Sequence, residues 1–149
     1  MNRSKNIICI APIRKFETFY FSYAKSRYKT NKIKKFVLND LWQHWKHKTI
    51  DYLLLKKKYP KQVIIVKFED LIRNHKNTSK KLCKNLKIKY SNIMEKSTFI
   101  GKKVVGNSSF KKDKKYSGKF YNADFNKFPK KLLPKEYFEI LKLVNKVAI

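Results

Sequence analysis

Apolar residues occupy consecutive positions at two places in the chain. The runs are NIICIAPI at residues 6 to 13 and QVIIVKF at residues 62 to 68. Short, β-branched and continuously apolar runs are typical of parallel strands that are covered on both faces. We therefore predict two buried parallel strands, with Pro12 helping to end the first and with Cys9 as a small core residue.

Apolar residues at helical spacing predict helices between and after these strands. Aromatic residues predict one helix over residues 16 to 28, and a second runs from about Asn39, as its cap, to Lys57. A third helix begins near Asn77-Thr78, and a last one begins at Leu133-Pro134 and continues through Val147. The apolar stripe of the second helix comprises Leu41, Trp42, Trp45, Thr49, Leu53 and Leu54.

The order of these elements predicts an α/β fold, a parallel sheet with flanking helices in one domain over residues 1 to 149. Residues 89 to 130 lack periodicity and predict a long loop, which is usually functional or disordered. Two parallel strands are too few to be stable alone. We therefore expect the sheet to be incomplete, with its missing part upstream of Met1.

The net charge of the chain indicates what kind of partner it could bind. Lysine and arginine number 38 against 10 acidic residues, a formal net charge of +28. Such a charge favours an acidic partner, and a small basic nucleic-acid-binding protein is one hypothesis. A general enrichment in lysine, asparagine and isoleucine explains the same charge without any function. The four arginines, which are Arg3, Arg14, Arg27 and Arg73, are then the informative cations.

The sequence gives little support for a membrane span, a secretory signal, a metal site or a pair of catalytic carboxylates. No apolar run is long enough to span a bilayer, and the N-terminus lacks the pattern of a secretory signal, so we expect a cytoplasmic protein. His44 and His47 lie three apart on the second helix without a third ligand at suitable spacing, so we expect no metal. Glu69 and Asp70 follow the second strand and are expected to cap a helix or to pair with basic neighbours rather than to act as catalytic carboxylates.

Several stretches carry a resemblance to a known family. They are IICIAPIRKFETFYFSYAK from residue 7, WQHW from residue 42, VIIVKFEDLIRNHKNTSKKLCKNLKI from residue 63 and GNSSF from residue 106. In this order they resemble the sulfotransferase family, whose sulfate donor is 3'-phosphoadenosine-5'-phosphosulfate. In that family an arginine at the end of a strand is followed eight residues later by a serine, and both bind the 3'-phosphate of the donor. The matching positions here are Arg14 and Ser22.

The resemblance implies a P-loop-like fold and transfer of a sulfuryl group to a hydroxyl or amine of a carbohydrate or other metabolite, without a metal. Phe68 would lie near the adenosine, where the family usually has tyrosine, and Asn107 and Ser108 would lie in a nearby phosphate-gripping loop. The family's 5'-phosphosulfate loop is missing, because all three glycines lie beyond residue 100. We therefore expect a fragment that transfers no sulfate alone, or a remnant that pairs with another chain.

Overall fold

The fold is mixed α/β and mostly helical, with a small parallel sheet. The computed structural model describes residues 7–28, 32–95, 98–99, 102–103 and 128–149. The strands are β1 (Cys9–Ile13), β2 (Val63–Lys67), β3 (Thr98–Phe99) and β4 (Lys102–Lys103). The helices are α1 (Phe16–Tyr28), α2 (Lys35–Lys58), α3 (Phe68–Arg73), α4 (His75–Leu86) and α5 (Lys135–Val147), with short 3₁₀ turns at Asn92–Glu95 and Lys130–Leu132. No helix in the described part of the chain is apolar over a stretch long enough to cross a bilayer.

The two predicted strands pair in parallel, which confirms that part of the prediction. Their register runs from Cys9 opposite Val63 to Ile13 opposite Lys67. On the other edge of β2, the Ile149 N–H donates to the Ile65 carbonyl at 3.1 Å. β2 therefore pairs with β1 along one edge and is bridged at Ile65 to the C-terminal residues on the other, while β3 and β4 form a separate antiparallel pair.

The prediction that both strands are buried on both faces holds for β2 and is wrong for β1. All four apolar residues of β2 are buried, whereas Ile10 in β1 is 41% exposed and Cys9 is exposed. The Cys9 N–H donates to the Gln62 carbonyl. Every second residue from Cys9, which means Cys9, Ala11 and Ile13, therefore directs its backbone N–H and C=O groups towards β2. Pro12, which lacks an N–H, thus lies inside β1 and faces its outer edge, where proline interrupts no bond to β2.

An aromatic cluster centred on Phe16 joins α1 to α2. The Phe16 side chain is completely buried. Its ring neighbours are Tyr20, Trp42, Trp45 and Phe128, with centroids 5.4 to 6.1 Å away in edge-to-face arrangements. Burying one such side chain contributes about 1.5 to 3 kcal/mol, and each ring pair adds about 1 kcal/mol. This cluster is therefore a main source of cohesion between the two helices.

Two helix starts differ from the sequence prediction. α2 begins at Lys35 rather than at Asn39, because the fully buried Val37 extends its apolar face by one turn. α4 begins at His75 rather than near Thr78, whose hydroxyl instead donates to the Asp70 carbonyl at 3.1 Å and ties α4 to α3. The predicted stripe of α2 is correct through Thr49 but ends before Leu54, which is 59% exposed.

Helix α5 is attached to the first half of the chain by a buried tyrosine. As predicted, proline opens this helix, since Pro134 precedes its first residue, Lys135. The Tyr137 side chain is 1% exposed, and its hydroxyl donates to Glu17 Oε2 at 2.7 Å. Burial and this hydrogen bond both raise the pKa of Tyr137, so the hydroxyl keeps its proton at neutral pH.

We expect Tyr137→Phe to lower the free energy of unfolding by about 1.5 to 3 kcal/mol, because it removes one hydrogen bond to a carboxylate and keeps the ring. Urea unfolding at pH 7 measures the change. Tyr59→Phe is the matched control, since Tyr59 is 40% exposed at the end of α2. Equal stability of the two variants would contradict the role given to the Tyr137 hydroxyl.

Candidate anion site at the carboxyl end of the parallel pair

Arg14 and Phe68 meet where the two parallel strands end. Arg14 directly follows β1, and Phe68 directly follows β2. The Arg14 guanidinium carbon lies 3.8 Å from the centroid of the Phe68 ring, and both side chains are half-buried. This distance is that of a cation–π contact. The structure thus brings together two of the predicted site residues at the sheet edge where α/β folds bind ligands.

The backbone of Arg14 is held by a tryptophan of α2. Trp45 Nε1 donates to the Arg14 carbonyl at 2.7 Å, and the Trp45 side chain is 3% exposed. A buried indole N–H needs an acceptor, and here the acceptor is the residue that links β1 to α1. The sequence predicted Trp45 only as a member of an apolar stripe. A tryptophan predicted in the core is nevertheless a signal that some polar backbone group must lie beside it.

Glu69 caps α1 from the end of the neighbouring strand. Its side chain is buried, with 7% exposed. Glu69 Oε1 accepts the Lys15 N–H at 3.0 Å and the Thr18 hydroxyl at 2.9 Å. A carboxylate at the N-terminus of a helix satisfies backbone donors and interacts favourably with the helix dipole. Glu69 therefore holds the start of α1. It lies in the first turn of α3, so it caps a helix other than its own.

Arg14 is a partly desolvated cation. Burial lowers the pKa of Arg14, while the nearby Glu69 carboxylate and Tyr23 act in the opposite direction. The guanidinium stays charged, because the pKa of arginine lies far above neutral pH. Within the described ranges, the salt bridges join other residues and none involves Arg14. The guanidinium therefore carries its charge in a setting where water screens it less than at the surface.

The other three predicted site residues do not join this pair. Ser22 is half-buried on α1, one turn beyond Thr18 on the same face. It lies about 9 Å along the helix axis from Phe16, and no contact links it to Arg14 or Phe68. Asn107 and Ser108 lie outside the described residues. The Thr18 hydroxyl, which the sequence analysis did not single out, is the one that reaches Glu69.

His44 lies in an aromatic layer beside this site. Its ring stacks on Phe19 with centroids 5.8 Å apart, and it lies 5.8 Å from the ring of Tyr23. The Nε2 atom is buried and has no hydrogen-bond partner in the part of the chain that the structure describes. Burial, followed by the charges of Lys48 and Arg27, lowers the pKa of His44. His44 is therefore neutral at pH 7.

Neither relatives nor metal ligands add to this site. A scan of protein-family models, a search of curated proteins and a search of solved structures found no match to the chain. Among the residues with described positions, no group of three His, Cys, Asp or Glu side chains could hold a metal ion. The residues that define the site are Arg14, Phe68 and Glu69.

We expect Thr18→Val to lower the free energy of unfolding by about 1 to 3 kcal/mol, because it removes one donor from the buried Glu69 carboxylate and keeps the shape of the side chain. Thr18→Ser keeps the hydroxyl and is the control. Urea unfolding at pH 7 compares them. A Thr18→Ser variant as unstable as Thr18→Val would show that the methyl packing, and not the bond to Glu69, stabilises this corner.

His44 makes folding sensitive to mild acid. Because its pKa in the folded chain lies below the ordinary value of 6.5, the unfolded chain takes up a proton first as the pH falls. Stability is then lost as the pH falls through 6.5 and below. Between pH 7 and pH 5, His44→Gln should lose less stability in urea unfolding than the parent chain. Parallel pH profiles for the two chains would contradict this role of His44.

Proposed function

We propose that this chain is the nucleotide-binding part of a sulfotransferase that uses 3'-phosphoadenosine-5'-phosphosulfate. The observation that carries the proposal is the contact between the Arg14 guanidinium and the Phe68 ring. The resemblance assigns both residues to the same donor nucleotide, one to its 3'-phosphate and one to its adenosine. Support comes from their contact in the fold and from their position at the carboxyl ends of β1 and β2.

Because the flat face of the Arg14 guanidinium stacks on Phe68, the N–H groups at its edges remain able to bind a phosphate. A cation–π contact uses the flat face of the guanidinium, whereas its N–H groups lie in the plane of the group. Two of these N–H groups match two oxygens of a phosphate, which carries about two negative charges near neutral pH. We therefore assign Arg14 as the main contact of the 3'-phosphate, with Phe68 holding the guanidinium in place.

The surrounding residues position Arg14 rather than bind the nucleotide. Trp45 fixes its carbonyl, and Glu69 fixes the first turn of α1, so the strand-to-helix corner has little freedom. Ser22, one turn beyond Thr18, is the proposed second hydroxyl along the same face of α1. The proposal makes Ser22 a weaker contact than Arg14, because it lies in the second turn of the helix.

The proposed chemistry is in-line sulfuryl transfer to a hydroxyl or amine of a carbohydrate or other metabolite. Such transfer depends on positioning and on stabilising charge at the reacting group. Arg14 and Phe68 serve the nucleotide end of the donor. Because the chain has no glycine before residue 101, no loop of the family's type is available to grip the 5'-phosphosulfate. We therefore propose donor binding by this chain, and transfer only together with residues that supply this grip.

We expect adenosine 3',5'-bisphosphate to bind the chain in isothermal titration calorimetry, and Arg14→Ala to weaken its affinity about tenfold or more, because a charged hydrogen-bonded pair is lost. Phe68→Leu should weaken it a few-fold by removing the ring beneath the guanidinium. Arg73→Ala, an exposed arginine on α3, removes the same charge and should change the affinity less than twofold.

Two further titrations separate this function from general binding of anions. Adenosine 5'-phosphate lacks the 3'-phosphate, so Arg14→Ala should leave its weaker affinity unchanged. Binding of DNA or RNA that depends steeply on salt and is unaffected by Arg14→Ala would favour a basic nucleic-acid-binding protein instead. Equal loss of the bisphosphate in Arg14→Ala and Arg73→Ala would refute the assignment of Arg14.

A further inference from the structure

A pocket lies between the start of α2 and the segment before α5, and neither Arg14 nor Phe68 lines it. Its volume is about 690 Å³. Its lining residues include Phe16 and Trp42, which are buried, and Leu132 and Phe36, which are 37% and 64% exposed. Pockets of roughly 300 to 1,000 Å³ with apolar walls are typical of small-molecule sites. The size and lining of this pocket therefore fit a small ligand with a flat apolar body.

The polar groups of the pocket favour an anion. Lys35 is the first residue of α2 and Asn39 lies one turn later, so both project on the same side as Trp42. The first turn of α2 contains no acidic residue. The nearby carboxylates have other partners, since Asp40 accepts a hydrogen bond from Tyr28 and Glu136 pairs with Lys46 at 2.8 Å. A ligand anion at this rim would thus meet Lys35 without a competing carboxylate on the same turn.

We propose that this pocket binds a small aromatic anion, a flat body of about the size of naphthalene that carries a carboxylate or sulfonate. The body lies against Trp42 and Phe36, and the anionic group lies beside Lys35 and Asn39. Aromatic walls favour a flat aromatic body through ring contacts that a flexible alkyl chain does not make. This inference does not depend on the proposed donor site, because neither of its two principal residues lines the pocket.

Tryptophan fluorescence provides a direct measurement. The chain has two tryptophans, and Trp42 is a lining residue of the pocket with its ring 5.5 Å from that of Trp45. Titration with 2-naphthoate should quench this emission to saturation with a Kd of about 1 mM or tighter, as expected for a ligand of this size. Naphthalene-2-methanol, which has the same rings without the charge, should bind more weakly.

Matched variants test the two halves of the site. Lys35→Glu should weaken 2-naphthoate roughly fivefold and leave naphthalene-2-methanol unchanged, because only the anion faces the reversed charge. Lys57→Glu, an exposed lysine at the far end of α2, makes the same change in net charge and should have less than a twofold effect. Phe36→Ala should weaken both compounds roughly fivefold, whereas Leu54→Ala, which truncates a similarly exposed side chain of the same helix, should weaken neither.

Three results would overturn the proposal. These are the absence of saturable quenching, equal effects of Lys35→Glu and Lys57→Glu, and equal effects of Phe36→Ala and Leu54→Ala. Equal effects of the two lysine variants would assign binding to the net charge of the chain rather than to this pocket. Urea unfolding of each variant excludes misfolding as the cause of weaker binding. Because the proposed donor site is tested at Arg14 with a different ligand, failure here leaves that proposal standing.

Discussion

The hydrogen bond from Trp45 to the Arg14 carbonyl is the constraint on which the arrangement of the site depends. It joins the aromatic core to the end of β1, so the packing of α1 on α2 also sets the position of the guanidinium. A buried indole N–H without an acceptor would cost about 1 to 3 kcal/mol, and only a carbonyl within reach can offset that loss. The position of Arg14 is thus fixed through its backbone by Trp45, and the stacking of its guanidinium on Phe68 holds the side chain.

Glu69 provides the second attachment of the same corner. It comes from the end of β2, reaches the first turn of α1 and lies near the Arg14 charge that it does not pair with. A carboxylate bonded directly to Arg14 would neutralise the site and compete with an incoming phosphate. Glu69 Oε1 instead accepts the Lys15 N–H and the Thr18 hydroxyl, and among the described residues no salt bridge joins Glu69 to Arg14.

The sequence predicted the elements well and the contacts between them only in part. Periodicity located α1, and the continuous apolar run located β2, because local spacing determines both. The exposure of Ile10 could not be predicted, since it depends on which helices cover β1 and not on the composition of that strand. Arg14 was predicted as a site residue from the resemblance and from its place after the first strand, and Phe68 was predicted from the resemblance alone. Trp45 and Thr18 were missed because their roles arise only when distant segments meet.

The high positive charge of the chain explains why anions are attracted to it, but not why one anion would bind in preference to another. A net charge of +28 raises the local concentration of any anion, and mobile salt reduces this effect over about 10 Å. Binding one anion in preference to others requires a cation that is partly removed from water and fixed in direction. Of the arginines just before α1 and within it, Arg14 has both properties. Arg27, by comparison, is exposed and lies 5.9 Å from the Tyr28 ring on its own helix. The proposed binding of one particular anion therefore rests on the buried corner around Arg14 rather than on the number of lysines.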